Sequence, residues 1–195
     1  LLHLDQNRPA RCPAKKVDEL DAQVREHSEG REMTANILPS ASAEKHYPIA
    51  FNLIPQIDVF CDNLYTKEEM KMVNETKKIM EDYEMRITAT TIRVPVYRSH
   101  SESVNIELEK EVDLGAMREA LAKFPGVTVQ DDPSKQEYPM PLYTSEKDDV
   151  YVGRLRRDES CEKSYNIWVV GDQIRKGAAL NTLQIAETMI KNGWI

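Results

Sequence analysis

The sequence predicts an α+β fold: a mostly antiparallel mixed sheet with helices on one face. Three observations carry that expectation. Two strand-like segments, 85–96 and 103–109, follow each other across a short loop. Two more, 150–156 and 165–170, do the same. Helical stretches stand between these pairs, and strands joined without an intervening helix favour antiparallel pairing.

In chain order, the first helical stretch is 16–27, which puts Val17, Leu20 and Val24 on one face before Gly30 closes it. The segment HYPIAFNLIPQID, 46–58, is apolar but cut by Pro48 and Pro55, and reads as an irregular or edge strand. Thr66 and Glu69 in TKEE form a capping box, which starts a helix to Met80. That helix carries Met70, Val73 and Lys77 on one stripe and Met72, Ile79 and Met80 on another. MRITATTIRVPV, 85–96, is rich in β-branched residues and reads as a strand that Pro95 confines to an edge. In SVNIELE, Val104, Ile106 and Leu108 alternate with Asn105, Glu107 and Glu109, the pattern of a half-buried strand. Asp113 caps a helix to Lys123 that Pro125 and Gly126 end. A short strand, 127–130, precedes a stiff loop, 131–142, with three prolines. After the second strand pair a last helix, 175–190, aligns Leu180, Leu183, Ala186 and Ile190.

Composition narrows the function classes. At 195 residues, 41% apolar and 30% charged, the chain can build one good core and stay soluble. Its formal charge of -7 comes without a basic stripe, which argues against nucleic acid as a partner. No apolar run approaches the ~18 residues of a membrane helix, and no secretory signal opens the chain. Cys12, Cys61 and Cys161 have neither disulfide-framework nor zinc spacing, so reduced thiols in the cytoplasm are expected. The chain begins at Leu1 rather than Met, which predicts a processed or truncated piece.

There is no GxGxxG, no GxxxxGK[ST], no GxSxG elbow and no metal-ligand cluster. Glu75 and Lys78 in NETKKI share a helix face, and spacing alone reads them as an exposed ion pair. Arg93 sits inside the apolar TIRVPV and needs an anion, which is either a carboxylate of this chain or that of a ligand. His100 in RSHSES follows at the tip of a short loop, either as a solvated residue or as a general base.

TIRVPVYRSHSESV, NETKKI and GDQIRKGAALN, with HYPIAFNLIPQIDVF, QEYPMPL and VGRLRRD, together resemble aspartate-β-semialdehyde dehydrogenase in order and spacing. The resemblance covers about 35–190; residues 1–34 match poorly, with only VDELDAQ similar to the family's connecting helix. It implies a fold like the carboxy-terminal domain of glyceraldehyde-3-phosphate-dehydrogenase-like enzymes. It implies a substrate-binding and dimerisation domain over 35–172, and a carboxy-terminal helix, 173–195, that packs on an amino-terminal NADP-binding half absent here. The implied reaction is the NADP-dependent interconversion of aspartyl phosphate and aspartate semialdehyde with release or uptake of phosphate, in lysine, threonine and methionine biosynthesis. Arg93 then grips the substrate carboxylate, Glu75 meets its amino group, and Lys78 binds phosphate. His100 is the acid/base, and Gln173 contacts the nicotinamide end of NADP. A homodimer paired through the sheet face is implied as well.

The family's nucleophile is a cysteine after an asparagine on a strand-to-helix turn, and none of the three cysteines has that setting. Ser99 stands where the family often has glycine. The chain alone is therefore expected to be inactive, with the apolar face of its last helix partly uncovered. Two alternatives remain: a related acyl-phosphate reductase such as N-acetylglutamyl-phosphate reductase, and a non-catalytic dimerisation remnant.

Overall fold

A computed structural model of the chain describes residues 14–40 and 42–195. The chain divides into two compact units, Leu1–Pro95 and Val96–Ile195. Cys12 lies outside the described residues.

In the first unit α1 spans Ala14–Ser28. Leu20 is buried as its periodicity predicts, but Val24 is exposed and Gln23 is wholly buried instead. A buried amide must fill its hydrogen-bonding capacity. Gln23 Oε1 accepts from the N–H groups of Ile49 and Ala50 at 2.9 and 3.0 Å, and Nε2 donates to Thr34 O at 2.8 Å. It thereby ties the helix to the irregular segment around it. Leu20, Leu38, Ile49, Ala50 and Ile54 close the core of this unit.

The capping box is present as read. Helix α2, Lys67–Met80, starts at Thr66, whose side chain accepts from Glu69 N while the Glu69 carboxylate accepts from Thr66 N. Its stripe Met70, Val73 and Lys77 is half-buried, while Met72, Ile79 and Met80 are exposed. Segment 46–58 is irregular, as expected. Segment 85–96 corrects the sequence reading: it is extended but not a strand, and meets one neighbour through a single Ile54–Arg93 bridge. Its β-branched residues are suited to a sheet, but among the described residues no second strand pairs with them. The Thr91 N–H goes to the Glu69 carboxylate instead of a ladder, and Pro95 has no N–H to offer.

The second unit holds a four-stranded sheet in the order β1-β4-β3-β2. The strands are β1 (His100–Glu107), β2 (Val127–Val129), β3 (Val150–Arg157) and β4 (Ser164–Gly171). Pairs β1/β4 and β3/β4 are antiparallel and β2/β3 is parallel, which bears out a mostly antiparallel mixed sheet. Opposed residues share a face. Val104 lies opposite Ile167 and Ile106 opposite Tyr165, so the apolar side of β1 continues into β4. Helix α3, Leu114–Lys123, capped by Asp113, covers that side with Arg118 and Leu121 against Val129, Val152, Leu155 and Ile167. The other side of β1 is polar: Ser101, Ser103 and Asn105 face Val170, Trp168 and Asn166.

The loop 131–142 contains a 3-10 turn, Pro133–Lys135, and leads into the short helix α4, Pro141–Thr144. Gly153 is the one residue β3 can place beneath it, since a Cβ there would lie 2.2 Å from Gln130 O and 2.7 Å from Pro139 Cδ. The last helix opens as a π-helical turn, Arg175–Ala179, and continues as α5, Leu180–Lys191. Leu183, Ile185 and Ile190 on it are more than half exposed.

Candidate functional site

Arg93, Glu75 and Lys78 belong to the first unit, and His100 and Gln173 to the second. Arg93 is fixed by its backbone, which exchanges both hydrogen bonds with Ile54 at 2.9 and 3.1 Å, and by its Nε, which donates to Pro39 O at 3.1 Å. Partial burial pulls the guanidinium pKa down from its ordinary value, and the charge of Glu68 opposes that. The group stays cationic in any accessible pH range. Among the described residues no carboxylate lies within ion-pair distance of it, and its two terminal nitrogens have no partner. Of the two anions the sequence left open for Arg93, a carboxylate within ion-pair distance is not found among the described residues; Glu68 acts on it only through its charge.

Glu75 and Lys78 are exposed on α2, on the same side as expected from their spacing, but they do not close into an ion pair. Neither side chain meets a partner among the described residues. The surface-pair reading fails here, and both charges are open to a ligand.

His100 is the first residue of β1 rather than the tip of a loop, because the strand starts three residues earlier than alternation predicts. It lies opposite Gly171 at the end of β4. Its ring is exposed, with no hydrogen bond to the described residues. Ser99 before it is buried at positive φ, 71°. Ser99 N donates to Gln173 Oε1 at 2.8 Å, so Gln173 lies against the turn that carries His100. The structure thus brings Gln173 and His100 together.

Two charged residues beside them escaped the sequence reading. Asp172 is fully buried, and Arg98 pairs with it at 2.6 Å and with Glu146 at 2.9 Å. Burial would raise the Asp172 pKa. The N–H groups of Glu146 and Ile174, the Arg98 charge and the Arg175 N–H outweigh it and hold the carboxyl below its ordinary range. A signal was there: an aspartate directly after the apolar strand YNIWVVG must find donors.

The family described as semialdehyde dehydrogenase, dimerisation domain, matches residues 14–176. The chain belongs to it. This semialdehyde dehydrogenase domain is 47% identical over 182 residues to aspartate-semialdehyde dehydrogenase of Aquifex aeolicus, covering 93% of the chain and 52% of that relative. It is 48% identical over 176 residues to the Bacillus subtilis enzyme of the same name, covering 90% of the chain and 51% of the relative. The chain spans about half the length of these relatives. Among solved structures, aspartate semialdehyde dehydrogenase II of Vibrio cholerae superposes with a TM-score of 0.82 at 38% identity, over 91% of this chain and 50% of that one. The same enzyme complexed with ASA gives 0.81 at 39% identity, again over 91% of this chain and 50% of that one. Family and fold thus stand as the motifs implied. No helix among the described residues is long and apolar enough to cross a membrane.

Proposed function

We propose that this domain supplies the substrate-binding and acid/base residues of an NADP-dependent aspartate-semialdehyde dehydrogenase, a cytoplasmic enzyme of lysine, threonine and methionine biosynthesis. The observation that carries the reading is Arg93. It is a half-buried cation, held in place through Nε and the backbone, with a terminal pair of nitrogens and no carboxylate at ion-pair distance among the described residues. Two parallel N–H donors in that state suit a ligand carboxylate.

The remaining roles follow from charge. Glu75, an open carboxylate, meets the substrate ammonium, and Lys78, an open ammonium three residues on, meets phosphate. The His100 imidazole, free of internal partners, takes the proton of the family's cysteine as its sulfur adds to the aldehyde carbon. It returns a proton in the reverse direction. With hydride lost from that carbon, phosphate attacks the thioester so formed and the thiolate leaves, which yields aspartyl phosphate. NADP, when bound, accepts the hydride in this direction. Gln173 fits that cofactor: its Oε1 is taken by Ser99 N while its Nε2 has no partner among the described residues and can donate to a carboxamide oxygen. The polar side of β1, with Ser101, Ser103 and Asn105, is the face for a homodimer. The exposed face of α5, within 173–195, packs on the nucleotide-binding half.

The test is reconstitution. Mixing the chain with a separately expressed nucleotide-binding half of the Bacillus subtilis relative should restore phosphate-dependent NADP reduction with aspartate semialdehyde. Arg93→Ala or His100→Ala should then lower kcat/KM by at least about 100-fold. A dimer that gives no activity in any such pairing would leave the non-catalytic dimerisation reading in possession.

A further inference from the structure

The His100 ring makes no hydrogen bond of its own among the described residues, so its aim is set by the backbone that carries it. That backbone needs holding. Ser99 adopts φ 71°, a region that non-glycine residues avoid at a cost. Once buried, its N–H must find an acceptor.

The acceptors come from the end of β4. Gln173 Oε1 takes the Ser99 N–H at 2.8 Å. Asp172 Oδ2 takes Arg98 Nη2 at 2.6 Å and Glu146 N at 2.7 Å. Asp172 Oδ1 takes Ile174 N at 2.9 Å and Arg175 N at 3.4 Å. Arg98 Nη1 reaches on to Glu146 Oε1 at 2.9 Å, and Ser99 Oγ lies 3.3 Å from Ser145 Oγ. One buried carboxylate thus joins three stretches of chain: 98–99, 145–146 and 172–175. Arg98 and Asp172 are 74 residues apart in sequence. A strand-end cap would use only the local Ile174 and Arg175 donors. The bond to Arg98, two residues before His100, has no part in capping.

We propose that Asp172 and Arg98 are positioning residues for His100. Their charge-assisted bond locks the residue pair before the histidine, and Gln173 holds the Ser99 amide in the same register. The assignment rests on the dehydrogenase reading for the role of His100, but the lock itself can be measured without turnover.

The test uses the full chain. Amide hydrogen exchange of Ser99 and His100 is followed by NMR, and kcat and KM for aspartate semialdehyde are measured with the chain reconstituted as above. Asp172→Asn keeps size and one acceptor but removes the charge. It should speed Ser99 and His100 exchange about tenfold or more while β3 and α3 amides hold. It should lower kcat about tenfold with KM within about twofold, the signature of a misaligned acid/base rather than lost binding. Arg98→Met should behave the same way, and Arg98→Lys should recover kcat to within about threefold of wild type. If Asp172→Asn does not fold, the half-exposed Arg98 decides through its two variants. Unchanged exchange at 99–100 overturns the lock whatever the activity. Faster exchange with unchanged kcat overturns the positioning role. A wild-type pair without turnover would sink the dehydrogenase reading instead, and the exchange result would still decide the lock.

Discussion

Removing the carboxylate of Glu69 is the sharpest test of how the first unit is held. It is buried, 7% exposed, and accepts from Thr66 N at 2.7 Å and Thr91 N at 2.8 Å. Its own N–H returns to Thr66 Oγ1 at 3.2 Å. Glu69→Ala leaves two donors without an acceptor. Thr66 is wholly buried, so its orphaned N–H costs about 2 kcal/mol; Thr91 is half-buried, and water recovers part of its loss, leaving about 1 kcal/mol. The sum, about 3 kcal/mol, exceeds the ~1 kcal/mol of an ordinary helix cap because the same carboxylate also holds a distant segment. Glu69→Gln keeps one oxygen acceptor but turns an amide donor toward the other N–H, and should cost about half as much. Urea unfolding followed by circular dichroism reads both values. In a double-mutant cycle with Thr66→Ala the two changes should couple by about 1 kcal/mol. A loss below about 0.5 kcal/mol for Glu69→Ala, or strict additivity, would refute the argument.

Gly153→Ala should destabilise the second unit by at least about 3 kcal/mol, because the new Cβ meets the backbone oxygen of Gln130 at 2.2 Å and Gln130 is tied to β3 by its own N–H to Val152 O; calorimetry checks it. Gln23→Leu should cost about 2–4 kcal/mol by stranding the N–H groups of Ile49 and Ala50, with faster exchange at those two amides. Arg93→Met should change stability by less than about 1 kcal/mol, since no ion-paired carboxylate among the described residues is orphaned, yet abolish substrate-carboxylate recognition in the reconstituted assay. Acid should weaken the fold below about pH 4. Glu69 and Asp172 both have folded pKa values below their ordinary ones, as burial is outweighed by N–H donors at each and by Arg98 at Asp172. Their contribution is therefore complete above the unfolded-chain value and is lost as pH falls through the lower folded value. The urea midpoint should fall as pH drops below about 4, and less steeply in Asp172→Asn.

What the sequence discloses is what neighbours along the chain decide. The TKEE box, the Asp113 cap and the alternation of Val104, Ile106 and Leu108 are local, and each stands where spacing puts it. Segment 85–96 has the composition of a strand, but strand formation depends on a partner edge, and β-branched residues cannot report whether one is present. Gln23 sits at a helix position that polarity assigns to water. The partners of its Oε1 are 26 and 27 residues away and Thr34 is 11 away, distances no helix periodicity spans. His100 was legible as a candidate but its setting was not, since Asp172 and Gln173, which hold the turn before it, stand 74 residues on from their partners Arg98 and Ser99.

Arg93 and Arg98 differ in their partners, which residue type leaves open. They stand five residues apart, and both are cations in a segment that is otherwise largely apolar. Arg98 reaches a buried aspartate and a glutamate, so its charge is spent on the fold. Arg93 reaches one carbonyl through Nε and stops. A guanidinium that is partly desolvated and has no carboxylate at ion-pair distance among the described residues raises the free energy of the folded chain, and a ligand anion would relieve that penalty. The affinity for that anion is thereby built into the unliganded state. This is why the proposed function puts the ligand carboxylate on Arg93, and why the paired Arg98 is proposed instead to hold the turn before His100.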